Sequence, residues 1–316
     1  MTDTQFTLAG KRVWVAGHRG MVGAALLRRL SRENCVLLTI GRAELDLRDQ
    51  KAVAAWMAAT RPDAIFLAAA KVGGILANDS LPAHFIYDNL MIAANIIDGA
   101  HQNDVEKLLF LGSSCIYPRL APQPIPEQAL LGGPLEPTNE FYAIAKITGI
   151  KLCQAYRRQF GCDFIAAMPT NLYGPGDNYD LASNHVLPAL LRKAHEAKAR
   201  GERELVIWGS GRARREFLHV DDCADALVHV MQCYSDEAPI NLGYGADVTI
   251  ANLAKMIMRI VGLEGRIVTD TEKPEGTPRK MLDCKRLTSL GWRPSIPLEA
   301  GIRATYAAAP FNAAPA

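Results

Sequence analysis

The sequence has no apolar run that approaches the roughly 20 residues a bilayer-spanning helix needs. Its first residues, MTDTQFTLAGKR, lack the basic-then-apolar order of a signal peptide, so a soluble cytoplasmic protein is expected. Neither sign of charge is in surplus: 35 Lys and Arg face 33 Asp and Glu, leaving +2. That balance gives no electrostatic reason to expect a nucleic acid or membrane partner, so any anion must be held locally. C-x-x-C spacing is absent, and the seven cysteines are an odd number. Neither a disulfide framework nor a zinc site is supported, and no metal is expected. Internal repeats and low-complexity tracts are also missing.

What is present is a chain of 316 residues, 49% of them hydrophobic, enough for one large α/β domain or two smaller ones. Short apolar runs alternate with helix-like segments. KRVWVAG (11–17), CVLLTIG (35–41), DAIFLAAA (63–70), KLLFLGSS (107–114) and DFIAAMP (163–169) read as strands. Between them, 21–33, 49–60, 83–103 and 139–161 have helical periodicity. Continuous rather than alternating apolar strands predict a parallel sheet covered on both faces, and the β/α alternation predicts a Rossmann-like, doubly wound fold. The second half is less regular. Residues 171–184 are rich in Gly, Asn and Asp and read as a loop. Later segments predict a smaller α/β substrate-binding cap, with an aspartate capping the helix at 219–233 and Thr249 capping another.

The first strand runs into GHRGMVG: Gly17, His18, Arg19, Gly20, Met21, Val22 and Gly23. Glycines here let the chain turn tightly and let a pyrophosphate approach a helix N-terminus. A glycine triplet alone can be a mere tight turn; between a strand and a helix it points to a dinucleotide. The second strand ends in TIGRAELDL. Arg42 there and Arg19 in the turn suit the 2′-phosphate of NADP(H), unless both are solvated surface residues. Glu44 or Asp46 could instead serve a ribose hydroxyl, and Asp46–Leu47 falls in the adenine region.

YAIAK places Tyr142 and Lys146 one turn apart on a helix, with Ser113 and Ser114 ending the preceding strand. A lysine cation beside a phenol makes it usable for proton transfer, and a serine hydroxyl can hydrogen-bond a carbonyl oxygen as it gains charge. Alone, Tyr142 would read as a core residue. In order with the glycine turn, serine and lysine, it reads as catalytic.

AGHRGMVG, AAAKVGGI, FLGSSCIYP, PTNLYGPGDNY, SNHVLPALLRK, IWGSG and RREFLHVDD together resemble the extended short-chain dehydrogenase/reductase superfamily over about residues 8 to 306. Within it the likeness is to epimerase–reductases of GDP-4-keto-6-deoxy sugars. The resemblance implies a GDP-sugar substrate and residues 8–173 and 217–243 as the NADP-binding domain. It implies 174–216 and 244–309 as the substrate-binding domain, with 310–316 a disordered tail. It makes Cys115 the base and His185 the acid of an epimerisation next to a C4 ketone. Thiol and imidazole both exchange protons near neutrality, and a thiolate needs a nearby cation, for which His185 or Lys146 is available. Taken singly, Cys115 reads as a small buried hydrophobe and His185 as an exposed helix start.

The resemblance further assigns Lys193, Trp208 and Arg215 to substrate, and Asp283 to a ribose or sugar hydroxyl. Trp208 by itself reads as cap core. Pro169, Thr170, Asn171 and Leu172 would form the nicotinamide pocket, with Lys146 on the nicotinamide ribose and His185 bordering the cofactor. Relatives pair as homodimers through helices like 83–103 and 139–161. RAR at 212–214 and the alanine-rich tail depart from the pattern. Two rivals remain: a 4-epimerase or dehydratase of the same fold, and a non-catalytic dinucleotide-binding sensor. The Tyr–Lys pair argues against the sensor.

Overall fold

In a computed structural model, residues 5–273 and 275–312 are described. The chain opens with β1 (Arg12–Ala16), α1 (Met21–Leu30), β2 (Val36–Leu38), α2 (Gln50–Thr60) and β3 (Ala64–Leu67). There follow α3 (Ile75–Ser80), α4 (Pro82–Gln102), β4 (Lys107–Leu111), α5 (Glu140–Phe160) and β5 (Asp163–Pro169). The second half holds β6 (Asn171–Tyr173), α6 (Val186–Ala199), β7 (Glu204–Trp208), β8 (Arg214–His219), α7 (Val220–Cys233) and β9 (Ile240–Leu242). It continues with β10 (Asp247–Thr249), α8 (Ile250–Val261), β11 (Arg266–Asp270), β12 (Arg279–Lys280), α9 (Lys285–Ser289) and α10 (Leu298–Ala307).

Six strands form one parallel sheet in the order β2-β1-β3-β4-β5-β9. Successive side chains of a strand point to opposite faces, and here each face meets its own core. Val13 and Val15 of β1, with Leu109 of β4, pack on α1 and α7. Trp14 of β1, with Leu108 and Phe110 of β4, packs on α2, α4 and α5. Burial on both faces is why these strands are apolar throughout, as expected for a doubly wound sheet. The chain leaves β1 in one direction for β2 and crosses back to β3. That reversal opens a crevice at the carboxyl ends of β1 and β3, where ligands bind in such sheets.

A third core joins α6, α8, β7 and α10 through Leu187, Leu191, Ile207, Leu253 and Ile302. Here β8 pairs with β10, β12 and β6, while β7 pairs with β11. The loop expected over 171–184 therefore begins with a short strand, because β6 runs parallel to β8. Thr249 caps α8 by accepting from the Asn252 amide. The cap of α7 is not an aspartate: the Nδ1 of His219 accepts from the Asp221 amide, and Asp221 and Asp222 occupy the first turn. Pro310–Asn312, placed by the sequence in the tail, form a 3-10 turn whose Phe311 ring lies against Tyr179 and His195. Residues 313–316 of that expected tail lie outside the described residues. No helix among the described residues is long and apolar enough to cross a membrane.

Candidate active site

One cavity of about 830 Å³ runs from the turn after β1, past the ends of β3, β4 and β5, to β7 and β8. Its wall contains Gly17, His18, Arg19, Gly20, Met21, Val22, Gly23, Arg42, Asp46 and Leu47 at one end. Ser113, Cys115, Tyr142, Lys146, Pro169, Thr170, Asn171, Leu172 and His185 line the middle, and Lys193, Trp208 and Arg215 the far end. Of the sequence-predicted site residues, Asp283 is missing from this wall, and so is Glu44, the alternative to Asp46 for a ribose hydroxyl.

The turn after β1 is shaped for a diphosphate. Gly17 has φ +88, a left-handed conformation that glycine accepts freely. A Cβ on Gly23 would lie 2.1 Å from the Gly17 carbonyl oxygen, so α1 reaches this turn only without a side chain there. Gly20 caps α1 with no side-chain hydrogen bond, leaving the first amides free for an anion. Glu44 accepts from the Gly41 amide, and the Arg19 guanidinium lies against Gly41. Among the described residues, neither Arg19 nor Arg42 is in an ion pair. Asp46, in contrast, is held by Arg48 at 2.6 Å, and its carboxyl is pushed down to about 2 by those hydrogen bonds. The two free guanidiniums and the pre-engaged Asp46 fit a 2′-phosphate better than a ribose hydroxyl.

The middle of the cavity is set by β4 and α5. Leu111 ends β4, and Ser113, in extended conformation, caps a 3-10 turn of Ser114–Ile116 by accepting from the Cys115 amide. The turn directs Cys115 into the crevice, where its thiol is half-buried. Lys146 donates to the Leu111 carbonyl at 2.7 Å, and burial pushes its ammonium down to about 7. Burial raises the Tyr142 phenol well above its usual range, the nearby Cys115 adds to this, and a hydrogen bond with Ser113 opposes it. The sequence predicts a lysine-favoured phenolate. In the folded protein burial dominates, and Tyr142 is a protonated phenol at neutral pH, the form that donates a proton.

His185 is the N-cap residue of α6 and makes no side-chain cap bond. Its ring is open to the cavity although protein surrounds it on most sides, and this desolvation lowers its pKa, with Lys280 adding to the effect. The preceding residues are fixed by the segment after β3: the Gly74 amide donates to Ser183, and a Cβ on Gly74 would lie 2.1 Å from the Asn184 carbonyl oxygen.

At the far end the Lys193 ammonium lies 5.4 Å from the Trp208 ring centre, and Arg215 donates to the Glu275 carbonyl at 3.2 Å. This cluster of cations and an aromatic face is suited to a nucleoside diphosphate. Asp283 is turned elsewhere: it accepts from the Lys285 amide at 2.9 Å and pairs with the Lys285 ammonium. The carboxylate that does border this end is Glu275, which accepts from the Ser210 amide and hydroxyl.

Two groups unforeseen from sequence face Cys115. Asn139 donates to its Sγ at 3.4 Å, and the Lys280 ammonium lies 3.6 Å from the same sulfur. Lys146, one of the two cations expected there, is instead on the Leu111 carbonyl. Asn139 precedes α5 closely enough that a search near YAIAK finds it; Lys280 arrives only through the pairing of β12 with β8.

A glycine turn at a sheet's switch point, with Ser113, Tyr142 and Lys146 beside it, defines a dinucleotide-dependent oxidoreductase class acting on ligands in the same crevice. A model of the NAD dependent epimerase/dehydratase family matches residues 13–243. GDP-L-fucose synthase of Sinorhizobium fredii is 58% identical over 301 residues, covering 95% of this chain and 96% of its own. GDP-L-fucose synthase of Escherichia coli is 55% identical over 309 residues, with 95% and 96% covered. The crystal structure of a GDP-L-fucose synthetase from Naegleria fowleri bound to NADP superposes with a TM-score of 0.88 at 29% identity, covering 96% of each chain. The chain belongs to the NAD dependent epimerase/dehydratase family, in its GDP-L-fucose synthase branch.

Proposed function

We infer that this protein is an NADP(H)-dependent epimerase–reductase that converts GDP-4-keto-6-deoxy-D-mannose to GDP-L-fucose. The observation that carries the reading is the coincidence, in one cavity, of a Ser113–Tyr142–Lys146 set with a separate thiol and imidazole, Cys115 and His185. A reductase alone needs only the first set. An epimerase that inverts carbons beside a ketone needs an acid and a base outside it.

The ketone at C4 makes the protons on C3 and C5 acidic. Cys115 takes such a proton from one face, and His185 returns one to the other. Ser113 hydrogen-bonds the C4 oxygen while it carries enolate charge. The Gly17–Gly23 turn, Arg19, Arg42 and the Pro169–Leu172 wall would hold NADPH, which would supply the hydride for reduction at C4. Tyr142 protonates the C4 oxygen during that reduction, and Lys146, when it carries its own proton, supports the phenol as it loses one. Lys193, Trp208 and Arg215 hold the GDP moiety.

Residues 8–173 and 217–243 are proposed as the cofactor domain, the remainder to 309 as the substrate domain, and the enzyme as cytoplasmic. A homodimer through α4 and α5 is supported by the exposed apolar side chains Tyr87, Phe141 and Ile144 on those helices. The test is incubation with GDP-4-keto-6-deoxy-D-mannose and NADPH. Loss of nicotinamide absorbance with formation of GDP-L-fucose is expected. No oxidation, or reduction to an unepimerised sugar, overturns the assignment.

A further inference from the structure

We propose that Lys280 is the positioning residue that holds the Cys115 sulfur as a thiolate ready to take a proton. The proposal rests on Cys115 as the base of the epimerisation.

The Lys280 ammonium lies 3.6 Å from Cys115 Sγ and makes no ion pair with a carboxylate among the described residues. An ammonium without a counter-ion in the wall of a cavity calls for an anion beside it, and the sulfur is the group within reach. Its placement is built in. Lys280 lies opposite Arg215 in the parallel pairing of β12 with β8. Arg279 before it is paired with Asp247, and after it the amides of Met281 and Leu282 donate to Gln123 and Glu216. The backbone is thus anchored on both sides of the lysine, and its stem spans from the substrate domain to the turn after β4.

The charged and titratable groups facing the sulfur come from every neighbouring element. Ser113 accepts from the Cys115 amide, Asn139 donates to Sγ, Tyr142 stands on α5 and Arg215 on β8. His185 feels the charge of Lys280, and Glu136 that of Arg215. Arg215 is also a cation whose charge reaches the sulfur, but its guanidinium donates to the carbonyls of Arg214 and Glu275. Lys280 is the cation in direct contact with Sγ. The same charge by itself disfavours a second proton on His185; beside a thiolate it is offset, and the imidazolium needed on the opposite face is then tolerated.

In the proton transfer, the C–H bond at C3 or C5 breaks as the S–H bond forms, and its electron pair passes into the enolate through C4. His185 gives its N–H proton to the opposite face as the enolate collapses. Thiol and imidazole then return to thiolate and imidazolium by exchanging protons with water before the second centre is inverted.

The experiment follows alkylation of Cys115 by iodoacetamide against pH in the full-length protein, with the modified peptide identified by mass, alongside deuterium incorporation into GDP-4-keto-6-deoxy-D-mannose in heavy water. Lys280→Met is expected to slow Cys115 alkylation at pH 7 about tenfold and to move its profile to higher pH, as removing a cation within about 4–6 Å does. Deuterium incorporation is expected to fall in parallel, and Lys280→Arg is expected to restore both in large part. An unchanged alkylation profile in Lys280→Met overturns the proposal whatever happens to turnover. Equal losses in Lys280→Met and Lys280→Arg overturn it as well, because they point to a structural role. If Cys115→Ser keeps full deuterium incorporation, the reading of Cys115 as base fails. The alkylation profile still decides separately whether Lys280 governs the sulfur.

Discussion

The Lys146 ammonium lies 5.9 Å from the centre of the Tyr142 ring and is tied to the carbonyl that ends β4. One helical turn of α5 thus sets the distance between a cation and a phenol. Burial raises the phenol and lowers the ammonium, so the protonated Tyr142 is the form available to donate when C4 is reduced. Tyr142→Phe removes that proton and leaves Cys115 and His185 in place. Reduction should fall by roughly 10²–10⁴-fold, the usual worth of a positioned acid. Deuterium incorporation at C3 and C5 should persist. The two are separated by following NADPH absorbance and sugar mass in parallel, and loss of both would deny the division of labour.

Lys146 also sets a pH dependence of stability. Its ammonium has a pKa of about 7 in the folded protein, against about 10.4 in an unfolded chain. Between those values the unfolded chain binds the proton and the folded one does not, so this group adds stability as pH rises from 7 to about 10. Lys146→Met lacks the effect. The melting temperature of the wild type, minus that of Lys146→Met, should therefore rise across this window. A flat or falling difference would mean that the buried ammonium keeps its proton.

The glycine turn offers a steric prediction. In Gly23→Ala the new methyl carbon would stand 2.1 Å from the Gly17 oxygen, far inside contact distance. The start of α1 must then move away from the diphosphate. NADPH affinity, read by fluorescence titration, should fall at least about tenfold, with helix content by circular dichroism retained because the rest of α1 packs unchanged. Unaltered affinity would place the dinucleotide elsewhere.

The strands that frame the crevice were legible because burial on both faces leaves an unbroken apolar signature in KRVWVAG and KLLFLGSS. Gly17–Gly23, Ser113, Tyr142 and Lys146 were legible because each lies at a fixed offset from such an element. Lys280 was not, since it reaches Cys115 only through the register of β12 on β8, far away in sequence. Asp283 is the opposite case. It lies three residues beyond Lys280, yet there the chain is turning toward α9, its carboxylate holds Lys285, and it is not among the residues lining the cavity. A one-dimensional likeness carries residue types along the chain but not the strand pairing that decides which of them meet.

Cofactor choice can be argued from charge. Arg42 follows β2 and is exposed, Arg19 leans across Gly41, and neither has a carboxylate partner among the described residues, whereas Asp46 is already saturated by Arg48. A ribose 2′-hydroxyl gains little from two guanidiniums; a 2′-phosphate gains a charge-assisted bond from each. Arg42→Ala should raise the KM for NADPH about tenfold or more while leaving the KM for NADH within about twofold, with kcat for either nearly unchanged, because the contact is distant from C4. The double variant with Arg19→Ala should erase the remaining preference. Steady-state rates with both nucleotides decide it: equal losses with NADPH and NADH would assign these arginines to the shared diphosphate instead of the 2′-phosphate.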